Sequence, residues 1–297
     1  MKDVRVLAIN PGSTFENAKL KATSFLLATQ AGGTWAINKL VAVSAGVRYV
    51  YGFTSVTMSG EDVTVGVHTP IKGEAELTAG GVGGVFGVCV TPIDKLVLAL
   101  RFDTAVRLEY EASLKTATLP VFDTLFPDGS KSRTDLPAVF AAGAAYDFGT
   151  VRAELNFTWF FQSAADWGGS NADWAGDCFN IGAVVRKQLT RQLEASLGYV
   201  YTRYLWEDMD AYYSSVVGSV EAPSMDNHYV AFGIGWQLRN NLKLNLGIGM
   251  TFYPDKTVTI DAAALLGQTP GSMGYNSVKL ENMAFTVALG VDWRINL

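Results

Sequence analysis

The chain has 297 residues, of which 49% are hydrophobic and 17% are charged, and its net charge is −5. This acidic balance argues against a nucleic-acid partner. The charged fraction is below the roughly 25% of ordinary soluble proteins, yet no stretch holds the ~18 consecutive apolar residues that a membrane helix requires. The hydrophobic residues must therefore be distributed in some other pattern.

The first 19 residues do not specify one structure. Residues 3–9 could form part of a strand, and Pro11, Gly12 and Ser13 would interrupt it. Residues 20–37 and 40–53 then predict a hairpin around a short turn at Asn38 and Lys39. We expect residues 54–71 to form a longer loop.

The next hairpin is the most regular part of the sequence. Residues 96–111 alternate between an apolar series, which includes Leu100, and a charged series, which includes Arg101. Because successive side chains of a strand point to opposite faces, this pattern predicts one apolar and one charged face. The predicted strand has about sixteen residues, whereas strands of soluble domains have about 5–6 and membrane-spanning strands about 9–11.

Residues 77–91 predict the partner strand, joined to the first by a turn at residues 92–95. Five glycines crowd this partner strand, at positions 80, 81, 83, 84 and 87. Glycines inside a strand mark a bulge, a bend or the close approach of another backbone.

The remaining chain continues with hairpins. Further strands are predicted at residues 136–148, 151–162, 178–189, 193–206, 229–238, 242–253 and 285–297, with long loops at 117–133, 164–175, 207–224 and 254–278. Short turns and long loops alternate, as in outer-membrane barrels, where the long loops are extracellular. We predict an all-β fold, an antiparallel transmembrane β-barrel in the cell outer membrane. About 11–12 strands are visible, and the barrel domain spans residues 20–297.

Several phrases resemble the outer-membrane long-chain fatty acid transporter family of the FadL/TodX type. They are GGTWAINKLVAVSAGVRYVYG at residues 32–52, AGGVGGVFGVCVTPIDKLVLALRF at 79–102, DLPAVFAAGAAYDFGTVRAELNFTWFFQS at 135–163 and DNHYVAFGIGWQLRNNLKLNLGIGMTFYPDK at 226–256. Their order and spacing are similar to those of the family over nearly the whole chain after residue 19.

The resemblance implies a fourteen-stranded barrel, plugged by an N-terminal hatch, that moves hydrophobic molecules through a lateral opening in its wall. This chain would supply the later strands only. The hatch and its Asn-Pro-Ala motif have no counterpart here, since residues 10–12 read Asn-Pro-Gly. Residues 1–10 also lack the continuous apolar core of a signal peptide. Because a barrel must be exported, we expect the sequence to be part of a longer one.

No residue pattern indicates an enzyme, a metal or a cofactor. His68 and His228 are not accompanied by a nucleophile motif. Cys89 and Cys178 are predicted to lie near opposite ends of the barrel, whereas a disulfide needs Cα atoms within about 7 Å. We therefore expect two free thiols.

Charged residues are predicted to line the lumen. They include Arg101, Asp103, Arg107, Arg152, Glu154 and Arg294. They could form a selectivity path, or a network of mutually paired charges that packs against a plug. The mixed signs favour the paired network.

One long loop is unusually apolar, and its five large hydrophobic side chains are candidate ligand-binding residues: Leu119, Val121, Phe122, Leu125 and Phe126. Such a loop must pack on something, since burying each side chain is worth roughly 1.5–3 kcal/mol. It could fold onto the barrel rim or onto residues 63–71, and in the family such loops form a groove that captures a fatty acyl chain.

The predicted function is passage of long-chain fatty acids or other hydrophobic small molecules through a barrel surrounded by outer-membrane lipids. A general porin or a surface adhesin is the alternative. The two differ in loop chemistry, because a porin constriction requires charged and polar loops. The apolar residues 117–126 favour the hydrophobic passenger.

Overall fold

The structure, a computed structural model, describes residues 13–64, 67–118, 126–167, 176–206, 225–261 and 275–293. These residues form fifteen strands and a short 3-10 helix at Gln162–Ala164. The strands are β1 (Ser13–Ala36), β2 (Val41–Thr64), β3 (Val67–Ile93), β4 (Leu96–Asp103), β5 (Glu109–Ala117), β6 (Lys131–Arg133), β7 (Val139–Asp147), β8 (Val151–Phe160), β9 (Cys178–Gln188), β10 (Leu193–Tyr204), β11 (Asn227–Arg239), β12 (Leu242–Phe252), β13 (Lys256–Asp261), β14 (Tyr275–Leu280) and β15 (Met283–Trp293). Among the described residues, no helix has the length and apolar character needed to cross a membrane.

Thirteen strands form one antiparallel sheet. Eleven of them are consecutive neighbours in the order β1-β2-β3-β4-β7-β8-β9-β10-β11-β12-β15. β5 pairs with residues 73–78 of β3 and with β6. β13 and β14 form a separate two-stranded sheet. The sheet confirms the predicted all-β antiparallel fold.

The two faces of the sheet differ in chemistry. On β4, Leu98, Leu100 and Phe102 are 39–52% exposed on one face, while Arg101 and Asp103 form an ion pair on the other. We call the face with the exposed apolar side chains the outer face and the opposite one the inner face. A contiguous exposed apolar surface of this extent is suited to contact with lipid.

Local sequence explains the tight turns at one end of the sheet. Between β1 and β2, Asn38 Oδ1 accepts hydrogen bonds from the backbone N–H groups of Leu40 (2.7 Å) and Val41 (2.9 Å). Between β7 and β8, Asp147 Oδ1 accepts the Gly149 N–H at 2.6 Å, and Gly149 has a φ of +99°, which favours glycine. Long connections lie at the opposite end, which is the extracellular end in outer-membrane barrels.

The first three strands are longer than predicted. Residues 54–71 are not a loop, because β2 and β3 continue their pairing from Thr54↔Leu77 to Thr64↔Val67 without a register shift. Serines, threonines and a glycine made this stretch appear loop-like, but its inward positions include Val56 and Met58, which pack on the inner face. β1 likewise begins at Ser13 rather than at residue 20.

Three other predicted elements differ in the structure, the first being the loop predicted over residues 117–133, which ends in the short strand β6. The strand predicted over residues 96–111 is interrupted between β4 and β5. The loop predicted over residues 254–278 contains the β13–β14 hairpin. Residues 3–9, which could have supplied another strand, lie outside the described residues.

Within the described residues, β1 and β15 each pair with a single neighbour. Each step along the eleven-strand path is antiparallel, so β1 and β15 run in the same direction. An antiparallel closure of the barrel therefore requires an odd number of strands between these two edges.

Candidate functional site

The wall of the sheet is interrupted beside β3. β3 pairs with β4 up to Val85↔Asp103 and resumes pairing with β5 at Thr78↔Glu111. Between these two pairs, the six residues 79–84 of β3 lie opposite the seven residues 104–110. The second stretch therefore has one extra residue. One extra residue on one strand is the definition of a β-bulge, which bends the strand locally.

The glycines of β3 make room for the displaced segment, residues 104–108. A Cβ atom placed on Gly81 would lie 2.6 Å from Val106 Cγ1, and one placed on Gly83 would lie 2.7 Å from Val106 Cγ2. Arg107 O also lies against Gly81. Any larger residue at these two positions would collide with the segment. The glycine run therefore marks a close approach of another backbone, one of the expectations from the sequence.

Apolar side chains close this interruption from the inner side. Val106 and Leu108 are 0% and 1% exposed, and they form a cluster with Val50 and Ala79. Tyr110 and Leu136 pack against the same cluster. The sequence had placed Val106 and Leu108 on the lipid-facing side, and the structure corrects this.

A second apolar cluster lies on the same inner face, nearer the extracellular end. It is centred on Ile71 and Ala75 of β3, and the residues packed against it are Val56, Met58, Leu114 and Phe126. Val50, Val56 and Met58 share one face of β2, because the β2–β3 register is unbroken. The two clusters lie along one face of β2, with Gly52 and Thr54 of β2 and Leu77 of β3 between them. We call this surface, which leads from the extracellular end to the interruption, the apolar track.

Three charged side chains lie just beyond the track, at its end away from the extracellular side. Asp103, 5% exposed, accepts hydrogen bonds from Arg101 Nε at 2.7 Å and Nη2 at 2.9 Å. Arg48 Nη1 donates to the same carboxylate at 3.2 Å. Arg48 is two residues from Val50 on the same face of β2. The apolar track thus ends at three charged side chains.

The other predicted lumen residues divide into three cases. Arg152 and Glu154 lie on the inner face and pair at 2.8 Å, and Arg186 joins Glu154 at 3.2 Å. Arg107 lies on the outer face, where it pairs with Glu109 at 3.0 Å. The prediction for Arg107 is therefore corrected, because the bulge reverses the alternation between Asp103 and Val106. Arg294 lies outside the described residues.

The predicted ligand-binding residues are only partly described. Leu119, Val121, Phe122 and Leu125 lie outside the described residues. Phe126 is described, half-buried against the Ile71 and Ala75 cluster. It therefore packs at the extracellular end of the apolar track. Its contribution to ligand binding stays a prediction.

A polar network joins the end of β8 to the start of β9 at the extracellular end. Asp177 accepts hydrogen bonds from Trp159 Nε1 (2.8 Å), Ser163 N (3.0 Å) and Ser163 Oγ (2.6 Å). Its burial raises the pKa, but these hydrogen bonds outweigh that effect and lower the pKa below its ordinary value of 3.8.

The histidines and cysteines form no reactive cluster in the described part of the chain. His68 Nδ1 contacts Glu61 Oε2 at 3.0 Å, and His228 Nδ1 contacts Tyr199 Oη at 2.8 Å. Cys89 and Cys178 are both free thiols, as predicted. Within the described ranges, no three His, Cys, Asp or Glu side chains are grouped so that they could hold a metal ion.

The sequence matches no family model and no curated protein. Several solved structures share its fold. A Pseudomonas aeruginosa FadL homologue superimposes with a TM-score of 0.64 at 11% identity, covering 95% of this chain and 73% of that chain. The Pseudomonas putida toluene transporter TodX has a TM-score of 0.55 at 13% identity, covering 96% and 80%. The Ralstonia pickettii toluene transporter TbuX has a TM-score of 0.52 at 11% identity, covering 95% and 78%. At these identities the similarity establishes the fold, which is that of a FadL-type outer-membrane barrel.

Proposed function

We propose that this barrel, with its FadL-type fold, carries long-chain fatty acids or similar hydrophobic molecules passively across the outer membrane. The single observation that carries the proposal is the apolar track on the inner face of β2, β3 and β5. It begins at the cluster around Ile71 and Ala75 and ends at the cluster around Val106 and Leu108. An apolar passenger entering at the extracellular end would keep apolar contacts along the whole track.

The charged side chains beyond the end of the track support an exit through the wall. A hydrophobic molecule that continued along the inner face would have to pass Arg48, Arg101 and Asp103, which gain nothing from apolar contact. On the side away from β2, residues 79–84 of β3 have no described ladder pairing, and the Thr104 N–H donates to Gly84 O at 2.9 Å. A passenger that displaces the side chains of Val106 and Leu108 would reach the lipid at a point of the wall where β3 lacks ladder pairing on this side.

The neighbouring structures are consistent with a hydrophobic passenger. Two of them are described as toluene transporters and one as a FadL homologue. The length of the track suits a chain-like molecule, because the two clusters lie at opposite ends of residues 50–58 of β2, about 26 Å apart at strand rise.

The register of β2 provides a matched pair of variants that tests the proposal. Met58 faces the track, while Thr57 beside it faces the outer side. We expect Met58→Asp to slow uptake of a fluorescent long-chain fatty acid at least fivefold and Thr57→Asp to leave uptake unchanged, with both variants folding as judged by heat-modifiable migration. Equal uptake by the two folded variants would remove the track from the route.

A further inference from the structure

A carboxylate takes the position of a ladder carbonyl next to the interruption. Val106 and Leu136 exchange both backbone hydrogen bonds, at 3.0 and 2.9 Å. In a regular antiparallel ladder the next such pair would be Leu108 with Thr134. The Thr134 N–H does donate to Leu108 O at 3.0 Å, but the Leu108 N–H donates to Asp135 Oδ1 at 3.1 Å. Asp135 therefore holds the backbone of the displaced segment with its side chain.

This carboxylate is buried and its charge is balanced. Only 9% of the Asp135 side chain is exposed. Arg133 Nε donates to Oδ1 at 3.3 Å, and Arg133 Nη2 pairs with Oδ2. A buried carboxylate without a partner is costly, and the Arg133 guanidinium supplies that partner.

The same two residues contact the extracellular connection between β8 and β9. Arg133 Nη1 pairs with Asp166 Oδ2 at 2.7 Å. The Asp135 N–H donates to Asp166 O at 3.0 Å, and Trp167 Nε1 donates to Asp135 O at 2.9 Å. Two contacts thus link residues 166–167 directly to Asp135, and a third links them to its partner Arg133.

We propose that Asp135 is a positioning residue that couples residues 166–167 of the extracellular connection to the wall segment at residues 104–108. The backbone of Asp135 contacts residues 166–167, its side chain holds Leu108, and Arg133 pairs with both Asp135 and Asp166. A movement of residues 166–167 therefore alters the hydrogen bond that retains Leu108. A molecule that lands on the extracellular connection would in this way loosen the closure of the wall. The role of this coupling in passage rests on the proposed function, whereas the coupling itself does not.

Amide hydrogen exchange, measured by mass spectrometry on the folded protein, tests the coupling directly. The decisive variant is Asp166→Ala, since the Asp166 side chain is 48% exposed and belongs to the extracellular connection itself. The matched control is Asp255→Ala, which removes another exposed extracellular carboxylate, paired with Lys279 at 2.8 Å. The reference region is residues 244–250 of β12.

We expect Asp166→Ala to accelerate exchange in residues 104–110 by about two- to fivefold, the range for a partly exposed ion pair. Residues 244–250 should be unaffected, Asp166→Glu should restore part of the protection, and Asp255→Ala should change neither region. The coupling is refuted if Asp166→Ala leaves residues 104–110 unchanged while Asp135→Ala accelerates them, because Asp135 would then be only a local support. Acceleration throughout the sheet would also refute it, since the effect would be global.

Uptake of a fluorescent fatty acid, measured on the same variants, separates this inference from the proposed function. If exchange changes as expected but uptake by Asp166→Ala equals that of the unmodified protein, the coupling stands and the exit through this wall segment is wrong.

Discussion

Asp103 and Val106 both direct their side chains to the inner face of the sheet, although residues three apart in a regular strand lie on opposite faces. Asp103 pairs with Arg48, and Val106 packs against Val50, which lies on the same face of β2 as Arg48. The change of face comes from the single extra residue opposite β3. It converts a lipid-facing apolar series into an inner apolar cluster at one point of the wall.

Two substitutions at adjacent positions can test which side chains of β4 face lipid and which face the lumen. Leu100 is 52% exposed on the outer face, while Ala99 pairs with Cys89 and Gly143 and faces inward. An arginine on the lipid face near the midplane costs roughly 2–4 kcal/mol, and much less in the lumen. Leu100→Arg should therefore impair folding into lipid bilayers far more than Ala99→Arg. Equal folding yields, or the reverse order, would show that the assignment of faces is wrong.

Asp103 and Arg107 were both predicted to line the lumen, but the change of face puts them on opposite faces. Their substitutions should therefore have unequal effects on stability. Asp103→Ala leaves the Arg48 side chain, 18% exposed, without the carboxylate that it contacts. Loss of one partner from a largely buried pair approaches about 3 kcal/mol. Arg107 is 67% exposed on the outer face, so Arg107→Ala should have little effect. The temperature at which the folded band unfolds in gel-shift assays should drop for Asp103→Ala and stay constant for Arg107→Ala. Similar drops would contradict the bulge.

The Asp177 network predicts a loss of local stability in acid. The folded pKa of Asp177 lies below its ordinary value of 3.8. The resulting stability is therefore fully present above pH 3.8 and is lost as the pH falls through the folded pKa. Between about pH 5 and pH 2, exchange protection of residues 159–164 should fall more in the unmodified protein than in Asp177→Asn, which has no carboxylate to protonate. Parallel pH profiles would show that Asp177 does not stabilise this connection.

Much of the sheet could be predicted from the alternation of side chains. The strands predicted at residues 151–162 and 242–253 correspond to β8 (Val151–Phe160) and β12 (Leu242–Phe252). Here apolar residues alternate with polar or small ones, and a short turn precedes each strand. The extensions of β2 and β3 were missed because small polar residues obscure the same period of two.

The interruption could not be located from the sequence. The alternation of apolar residues continues through Thr104, Val106 and Leu108, so no residue of that strand marks the change of face. The glycines of β3 indicated a close approach but not its partner. The role of Asp135 depends on Leu108, Arg133 and Asp166, which come together only through strand pairing and the folding of a distant connection.

The proposed exit for hydrophobic molecules is the point where residues 104–108 lie against β3. A disulfide between Gly83→Cys and Val106→Cys would lock this segment, since Val106→Cys removes Cγ2, the atom that a Cβ on Gly83 would approach to 2.7 Å. The background is Cys89→Ala with Cys178→Ala, and the control is a disulfide between Gly198→Cys and Ala231→Cys, which pair on β10 and β11.

The decisive measurement is uptake of a fluorescent long-chain fatty acid, with the same preparation assayed oxidised and reduced. We expect the oxidised lock between positions 83 and 106 to stop uptake, reductant to restore it, and the control disulfide to have no effect in either state. Equal uptake with the lock closed and open would contradict the exit through this segment.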